Sequence, residues 1–225
     1  MSNTVVMVLF PGLTQLDLTG PYEVFNRMPS TKVLLLSSSL APVRTEWGLT
    51  LMPDATFESS PDFDVVCVPG GWGVNTALES RELIGFLRDR AAHARYVTSV
   101  CSGALLLGAA GLLEGYRATT HWMSHELLSL FGAIPVHERF VIDRNRITGG
   151  GVTAGIDLAL VIAAEMFGES VAQEIQLAIE YDPAPPFASG SPLNAPPEVR
   201  DAVLKRSASA LSDRRAIIDR LTTVT

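Results

Sequence analysis

The 225 residues predict an α/β protein in which a mostly parallel sheet is covered by helices on both faces. Short β-branched, apolar runs alternate with stretches of helix formers along the chain, the order that builds parallel sheets through helical crossovers. Apolar residues make up 47% of the sequence and charged ones 18%, which suits a sheet buried on both sides. The run Tyr96-Val97-Thr98-Ser99-Val100 passes through Cys101-Ser102-Gly103 straight into Ala104-Leu105-Leu106-Leu107-Gly108-Ala109-Ala110. That is strand, abrupt turn, helix, with Cys101 at the turn.

Taken in order, Val5–Phe10 is a continuous apolar strand ended by Pro11-Gly12. Gln15 opens a helix expected to run to about Met28, with Pro21 in its first turn, where a missing N–H costs nothing. Asp17 then lies near a helix start at the carboxyl end of a strand, as a helix cap or as part of a site. Lys32–Ser37 is the second strand, and Val43–Phe57, around Trp47-Gly48, is a β-excursion without helical period. Asp64–Val68 is a core strand carrying Cys67 as packing. It ends in Pro69-Gly70-Gly71-Trp72-Gly73, where adjacent glycines let backbone N–H groups approach a ligand, although a plain turn fits the same residues. No lysine follows in a phosphate-binding pattern.

Glu79–Ala94 is an amphipathic helix leading into the Cys101 strand. Arg117–Trp122 is a short strand end that brings His121 to the site, unless His121 is simply a hydrogen-bonded, half-buried side chain. His93, His125 and His137 have no comparable placement and are expected at the surface. Glu138–Ile142 and Arg146–Thr148 form a hairpin; Ile156–Phe167 and Ser170–Glu180 are helices. A proline-rich strap at about 181–197 is too apolar at Tyr181 and Phe187 for a free linker, so it is expected on the body or on a second subunit. Glu198–Thr222 is a terminal helix. Without repeats or linkers, residues 1–225 are expected to form one domain.

The net charge of −7, with no basic stripe, argues against nucleic acid. Lys205-Arg206 and Arg214-Arg215 are interleaved with acids and read as a solvated helix face. No apolar run reaches the roughly 18 residues of a membrane span, and Met1-Ser2-Asn3-Thr4 lacks a basic leader. Cys67 and Cys101 show no CxxC or Cys/His ligand spacing, so no metal site is implied. The chain is expected to be cytoplasmic with both thiols reduced.

Cys101 has the placement of a nucleophile elbow, with serine replaced by cysteine and the second glycine of G-x-S-x-G kept as Gly103. A helix N-terminus beside the sulfur is expected to favour its thiolate near neutral pH.

Together, Phe10-Pro11-Gly12 with Asp17-Leu18-Thr19-Gly20-Pro21, Val68-Pro69-Gly70-Gly71, Val100-Cys101-Ser102-Gly103 and Ala118-Thr119-Thr120-His121-Trp122 resemble the ThiJ/PfpI superfamily from Val5 to about Phe187. The resemblance implies a flavodoxin-like, class I glutamine amidotransferase-like three-layer sandwich, often found as a homodimer. Protease members carry histidine after the cysteine; here Ser102 stands there, so a Cys/His protease dyad is not expected. Asp17 replaces the glutamate common on the first strand–helix loop. With Tyr181-Asp182-Pro183 and Pro185-Pro186-Phe187, it is similar to the isonitrile-hydrating members, which implies conversion of a small-molecule isonitrile to an N-substituted formamide.

On that resemblance Cys101 attacks the isonitrile carbon while protonated Asp17 supplies the proton, giving a thioimidate that water then hydrolyses without a metal or organic cofactor. Asp17 needs a pKa raised by burial to do this. The N–H groups of Gly71 and Ser102, in the Gly70-Gly71 donor loop and the elbow, form an oxyanion-type site. The Ser102 hydroxyl orients water or Asp17, unless it is only a helix cap, and His121 tunes the thiolate. Trp72, Trp122, Tyr181 and Phe187 set the pocket width. The same pieces also fit a dicarbonyl hydratase of the glyoxalase type, a redox sensor or chaperone, and the ligand-binding half of a regulator. The last is set aside by the acidic charge and by a chain too short for DNA-binding helices.

Overall fold

The structure, a computed structural model, describes residues 2–223. Met1, Val224 and Thr225, the outermost positions of the expected domain and of the leaderless start, lie outside the described residues. Among the described residues eleven strands run β1 Asn3–Val8, β2 Thr31–Ser37, β3 Val43–Arg44, β4 Thr50–Leu51, β5 Ala55–Thr56, β6 Val65–Val68, β7 Tyr96–Ser99, β8 Arg117–Ala118, β9 Ile134–Pro135, β10 Phe140–Asp143 and β11 Arg146–Gly149. The helices are α1 Gln15–Phe25, α2 Val74–Ala77, α3 Arg81–Arg90, α4 Gly103–Ala109, α5 Ala154–Phe167, α6 Glu169–Ala178 and α7 Pro197–Thr223, with 3-10 turns at Ala91–His93 and Trp122–Phe131.

The central sheet has the order β10-β11-β7-β6-β1-β2-β5. Every pairing in it is parallel except β10 with β11. Val5, Val6, Met7 and Val8 are wholly buried, as are Val65 through Val68, which is why these strands read as unbroken apolar runs. The helices form two groups: α1, α5 and α6 pack on one another, while α2, α3, α4, the Trp122–Phe131 turn and α7 make the other layer. The strand order reverses at β1, and open α/β sheets bind ligands in the crevice at such a reversal, outside the carboxyl ends of the strands. Asp17, Gly70-Gly71 and Cys101 follow β1, β6 and β7, three neighbours in the sheet, so the expected site elements meet there.

Several expectations need correction. Pro21 lies well inside α1, in its second turn, where its missing N–H removes the bond the Asp17 carbonyl would otherwise receive. The segment after β8 is a 3-10 turn capped by His121. His125 is buried, its ring stacked on that of His137 at 3.6 Å between centroids, because the turn's inner face closes over it. Arg214 is not on a solvated face: it is 3% exposed, on the side of α7 that docks onto the turn and α2. The strap is tied down at Tyr181, whereas Phe187 and Leu193 stand 78% and 87% exposed on the single chain. No helix among the described residues is long and apolar enough to cross a membrane.

Candidate active site

Cys101 adopts φ +56°, in the left-handed region that costs a non-glycine residue about 1–3 kcal/mol unless its surroundings impose it. They do. Its N–H donates to the carbonyls of Gly149 and Gly150 at 3.1 and 2.8 Å, and its own carbonyl accepts the Thr120 hydroxyl at 2.7 Å. The apolar α4 begins two residues later, with Gly103 needed where a Cβ would stand 2.2 Å from the Val68 carbonyl oxygen. The strand-turn-helix pattern therefore has a tertiary clamp that fixes where the sulfur points.

Asp17 is fully buried in the first turn of α1. It does not cap the helix; Thr14 holds the cap position, and the Asp17 Oδ2 accepts the Gly70 N–H at 2.9 Å. Oδ1 has no hydrogen-bond partner among the described residues, and the Cys101 thiol acts on the carboxyl electrostatically. Burial pushes the Asp17 pKa up to about 7, against the Gly70 N–H and the Cys101 thiol, which lower it; the Glu46 charge raises it further.

The expected easy thiolate is not found. Burial raises the Cys101 thiol well above its ordinary value, and the Asp17 charge adds to this; the Ser102 N–H lowers it, as does Arg214. The short α4 does not outweigh desolvation. In the resting site the proton belongs to sulfur, with a carboxyl of pKa near neutrality to receive it. Cys67 is also buried and raised to about 12, consistent with a packing role.

Ser102 is buried and caps nothing through its side chain. Its hydroxyl accepts the Gly71 N–H at 3.1 Å and donates to the Gly71 carbonyl at 3.2 Å. The Gly71 N–H, expected as an oxyanion donor, is thus engaged in this arrangement. Gly70 allows the loops to close: a Cβ there would lie 2.5 Å from the Ser102 nitrogen and 3.0 Å from Asp17 Oδ2.

Cys101, Ser102 and Gly71 line a pocket of about 130 Å³ together with Trp72, His121 and Arg214; Thr14, Glu46, Met123 and Val152 complete it. Burial and the Arg214 charge lower the His121 pKa to about 4, so it is neutral at ordinary pH and brings no positive charge to the sulfur. Its Nδ1 accepts the Met123 N–H at 3.4 Å. The Trp122 ring lies tilted beside that of His121 but does not line the pocket, and neither does Gly70. Tyr181 is held elsewhere, its hydroxyl on Asp157 at 3.1 Å and within 3.5 Å of Arg139; Phe187 lies in the exposed strap.

Arg214 is the residue that sequence reasoning missed. Its Nε donates to Asn75 Oδ1 at 2.7 Å, one terminal nitrogen to Ser124 Oγ at 2.8 Å and the other to the Gly71 carbonyl at 3.1 Å. The guanidinium lies 5.3 Å from the Trp72 ring centroid. The available signal was spacing: Ser207, Arg214 and Ile218, seven and then four apart, share one face of a helix and are its buried residues.

A model of the DJ-1/PfpI family matches residues 3–165, which leaves Arg214 outside the matched segment. The chain is 53% identical to the isonitrile hydratase of Pseudomonas putida over 220 residues, 98% of this chain and 96% of that protein. It is 34% identical to the HTH-type transcriptional regulator GbdR of Pseudomonas aeruginosa, covering 80% of this chain and 51% of the regulator. The crystal structure of a ThiJ/PfpI family protein from Pseudomonas syringae superimposes with a TM-score of 0.94 at 44% identity, covering 97% of this chain and 91% of that one.

Proposed function

The chain belongs to the DJ-1/PfpI family, and on that premise we propose that it is an isonitrile hydratase, an enzyme of the hydro-lyase class. The similarity to the Pseudomonas putida enzyme over almost the whole of both chains carries this reading. The Asp17–Cys101 pair supplies a chemistry for it.

An isonitrile carbon has a lone pair to protonate and becomes electrophilic once protonated. The Asp17 carboxylate accepts the Cys101 thiol proton and passes it to that carbon as sulfur bonds to the same atom. The net step adds S–H across one carbon, R–NC giving R–N=CH–S–Cys101. Water then attacks this thioimidate; Asp17 takes a proton from the water and passes it to nitrogen, leaving R–NH–CH(OH)–S–Cys101. Collapse to the formamide R–NH–CHO breaks the C–S bond and returns the proton to sulfur. A carboxyl with a pKa near 7 suits a group that must both take and give a proton at neutral pH.

Within this proposal Ser102 and Gly71 sit beside the sulfur where an adduct forms; release of the Gly71 N–H from Ser102 would free it for a developing negative charge. Gly70 orients Asp17, and His121 and Trp72 bound the substrate. Trp122 backs His121, and Tyr181 steadies the strap. The proposal also includes a cytoplasmic setting, in which both thiols stay reduced, and a homodimer, favoured by the exposed Leu177, Phe187 and Leu193.

The test is loss of the isonitrile infrared band on incubation with the purified protein, with formation of the formamide. Cys101→Ala should abolish it, and quenched enzyme should carry the substrate mass on the Cys101 peptide. Undiminished turnover by Cys101→Ala would rule out the covalent route.

A further inference from the structure

We propose that Arg214 is the counter-ion of the Cys101 sulfur anion, a positioning residue that stabilises the thiolate as it forms and again as it is expelled. This rests on Cys101 being the nucleophile.

Burying this side chain is costly. Arg214 is 3% exposed and, among the described residues, forms no ion pair; its three hydrogen-bond partners, Asn75, Ser124 and the Gly71 carbonyl, are all neutral. A guanidinium stays charged in proteins and costs several kcal/mol to bury without a compensating charge. The three neutral acceptors hold it in place without neutralising it. They use three of its five N–H groups, leaving two.

Arg214 lines the same pocket as Cys101; burial lowers the Arg214 pKa to about 10 and the Cys101 charge acts against that, while the Arg214 charge in turn lowers the thiol. The other titratable groups around that sulfur cannot supply a positive charge at neutral pH. Asp17, from α1, bears on it as a negative charge; Glu46, between β3 and β4, is an acid; His121, at the cap of the 3-10 turn, is neutral. Arg214, from α7, is the one cation among the lining residues. The proposed reaction twice places negative charge on sulfur in this cavity. A fixed, already desolvated cation meets that charge without reorganisation.

The experiment measures Cys101 itself, with no isonitrile present. The full-length protein is alkylated with iodoacetamide across a pH series, and modification of the Cys101 peptide is followed by mass spectrometry. Removing an opposite charge at such a site moves a pKa by about 1–3 units. Arg214→Gln is therefore expected to raise the alkylation midpoint by at least about one unit and to slow reaction at neutral pH about tenfold. Arg214→Lys, which keeps the charge, should stay within about half a unit of wild type, even if its Tm falls. Arg215→Gln, removing the exposed neighbour, should move nothing.

A folded Arg214→Gln protein with an unmoved midpoint overturns the proposal, as does Arg214→Lys shifting as far as Arg214→Gln, the result of a merely structural role. Should Arg214→Gln not fold, Arg214→Lys decides alone: a midpoint near wild type supports the charge pair, and one raised by more than about one unit refutes it. Because turnover is not measured, this result and the hydration assay fail independently.

Discussion

The Gly70 N–H donates to Asp17 Oδ2 at 2.9 Å across 53 residues of chain. One backbone amide thus fixes the orientation of a fully buried carboxyl whose other oxygen has no hydrogen-bond partner among the described residues. It also joins the segment after β1 to the loop after β6 at the reversal of the sheet.

Asp17→Asn keeps an oxygen for Gly70 but neither accepts nor returns a proton. Turnover is expected to fall by about 10²–10⁴-fold, the usual contribution of a general acid–base group, while Tm at neutral pH rises, because Asn has no charge to bury. Steady-state kinetics beside a melting curve check this. Full activity in Asp17→Asn would move the proton relay elsewhere.

Asp17 and His121 give opposite pH dependences of stability. Asp17 titrates near 7 in the fold against 3.8 ordinarily, so its contribution is present below about pH 4 and lost as pH rises through about 7. His121 titrates near 4 against 6.5, so its contribution is present above 6.5 and lost as pH falls through about 4. Each is worth on the order of 3–4 kcal/mol, and between about pH 4 and 6.5 they nearly cancel. Urea titrations at fixed pH should show Asp17→Asn gaining stability as pH rises through this window and His121→Gln losing it. Parallel curves for both variants would contradict the assignment.

Gly70→Ala places a methyl 2.5 Å from the Ser102 nitrogen. The obstacle is backbone, so the loop must move and take the Asp17 hydrogen bond with it. We expect a stability loss of about 1–3 kcal/mol and more than tenfold lower turnover. Activity equal to wild type would show that the Asp17 orientation does not depend on this amide.

Thr120→Val removes the hydroxyl that donates to the Cys101 carbonyl at 2.7 Å. An unpaired buried carbonyl costs about 1–3 kcal/mol, read as a lower denaturant midpoint at unchanged slope. Turnover should fall too, since this bond helps impose the positive φ of Cys101. A stability loss with unchanged turnover would separate the bond from the geometry of the sulfur.

Cys101 and Asp17 were legible because their signals are local. A β-branched run, one turn and an apolar helix mark the elbow within a few residues, and a strand end followed by a helix start marks the acid. The parallel sheet was legible for a related reason: strands buried on both faces, such as Val65–Val68, read as near-continuous apolar runs. The hairpin Phe140–Asp143 with Arg146–Gly149 was legible from two β-branched runs on either side of turn residues.

The order of apolar runs and turns along the chain determined the architecture and the place of the thiol and the acid, because hydrophobic period and turn chemistry act between neighbours. Only the folded molecule decided the electrostatics. Docking of α7 brought Arg214 from a seemingly solvated stretch to the pocket. Closure of the Trp122–Phe131 turn buried His125. Desolvation reversed the expectation of a ready thiolate and raised Asp17 to about 7. A pKa depends on all the charge and water around an atom, and in this protein those surroundings are assembled from opposite ends of the chain.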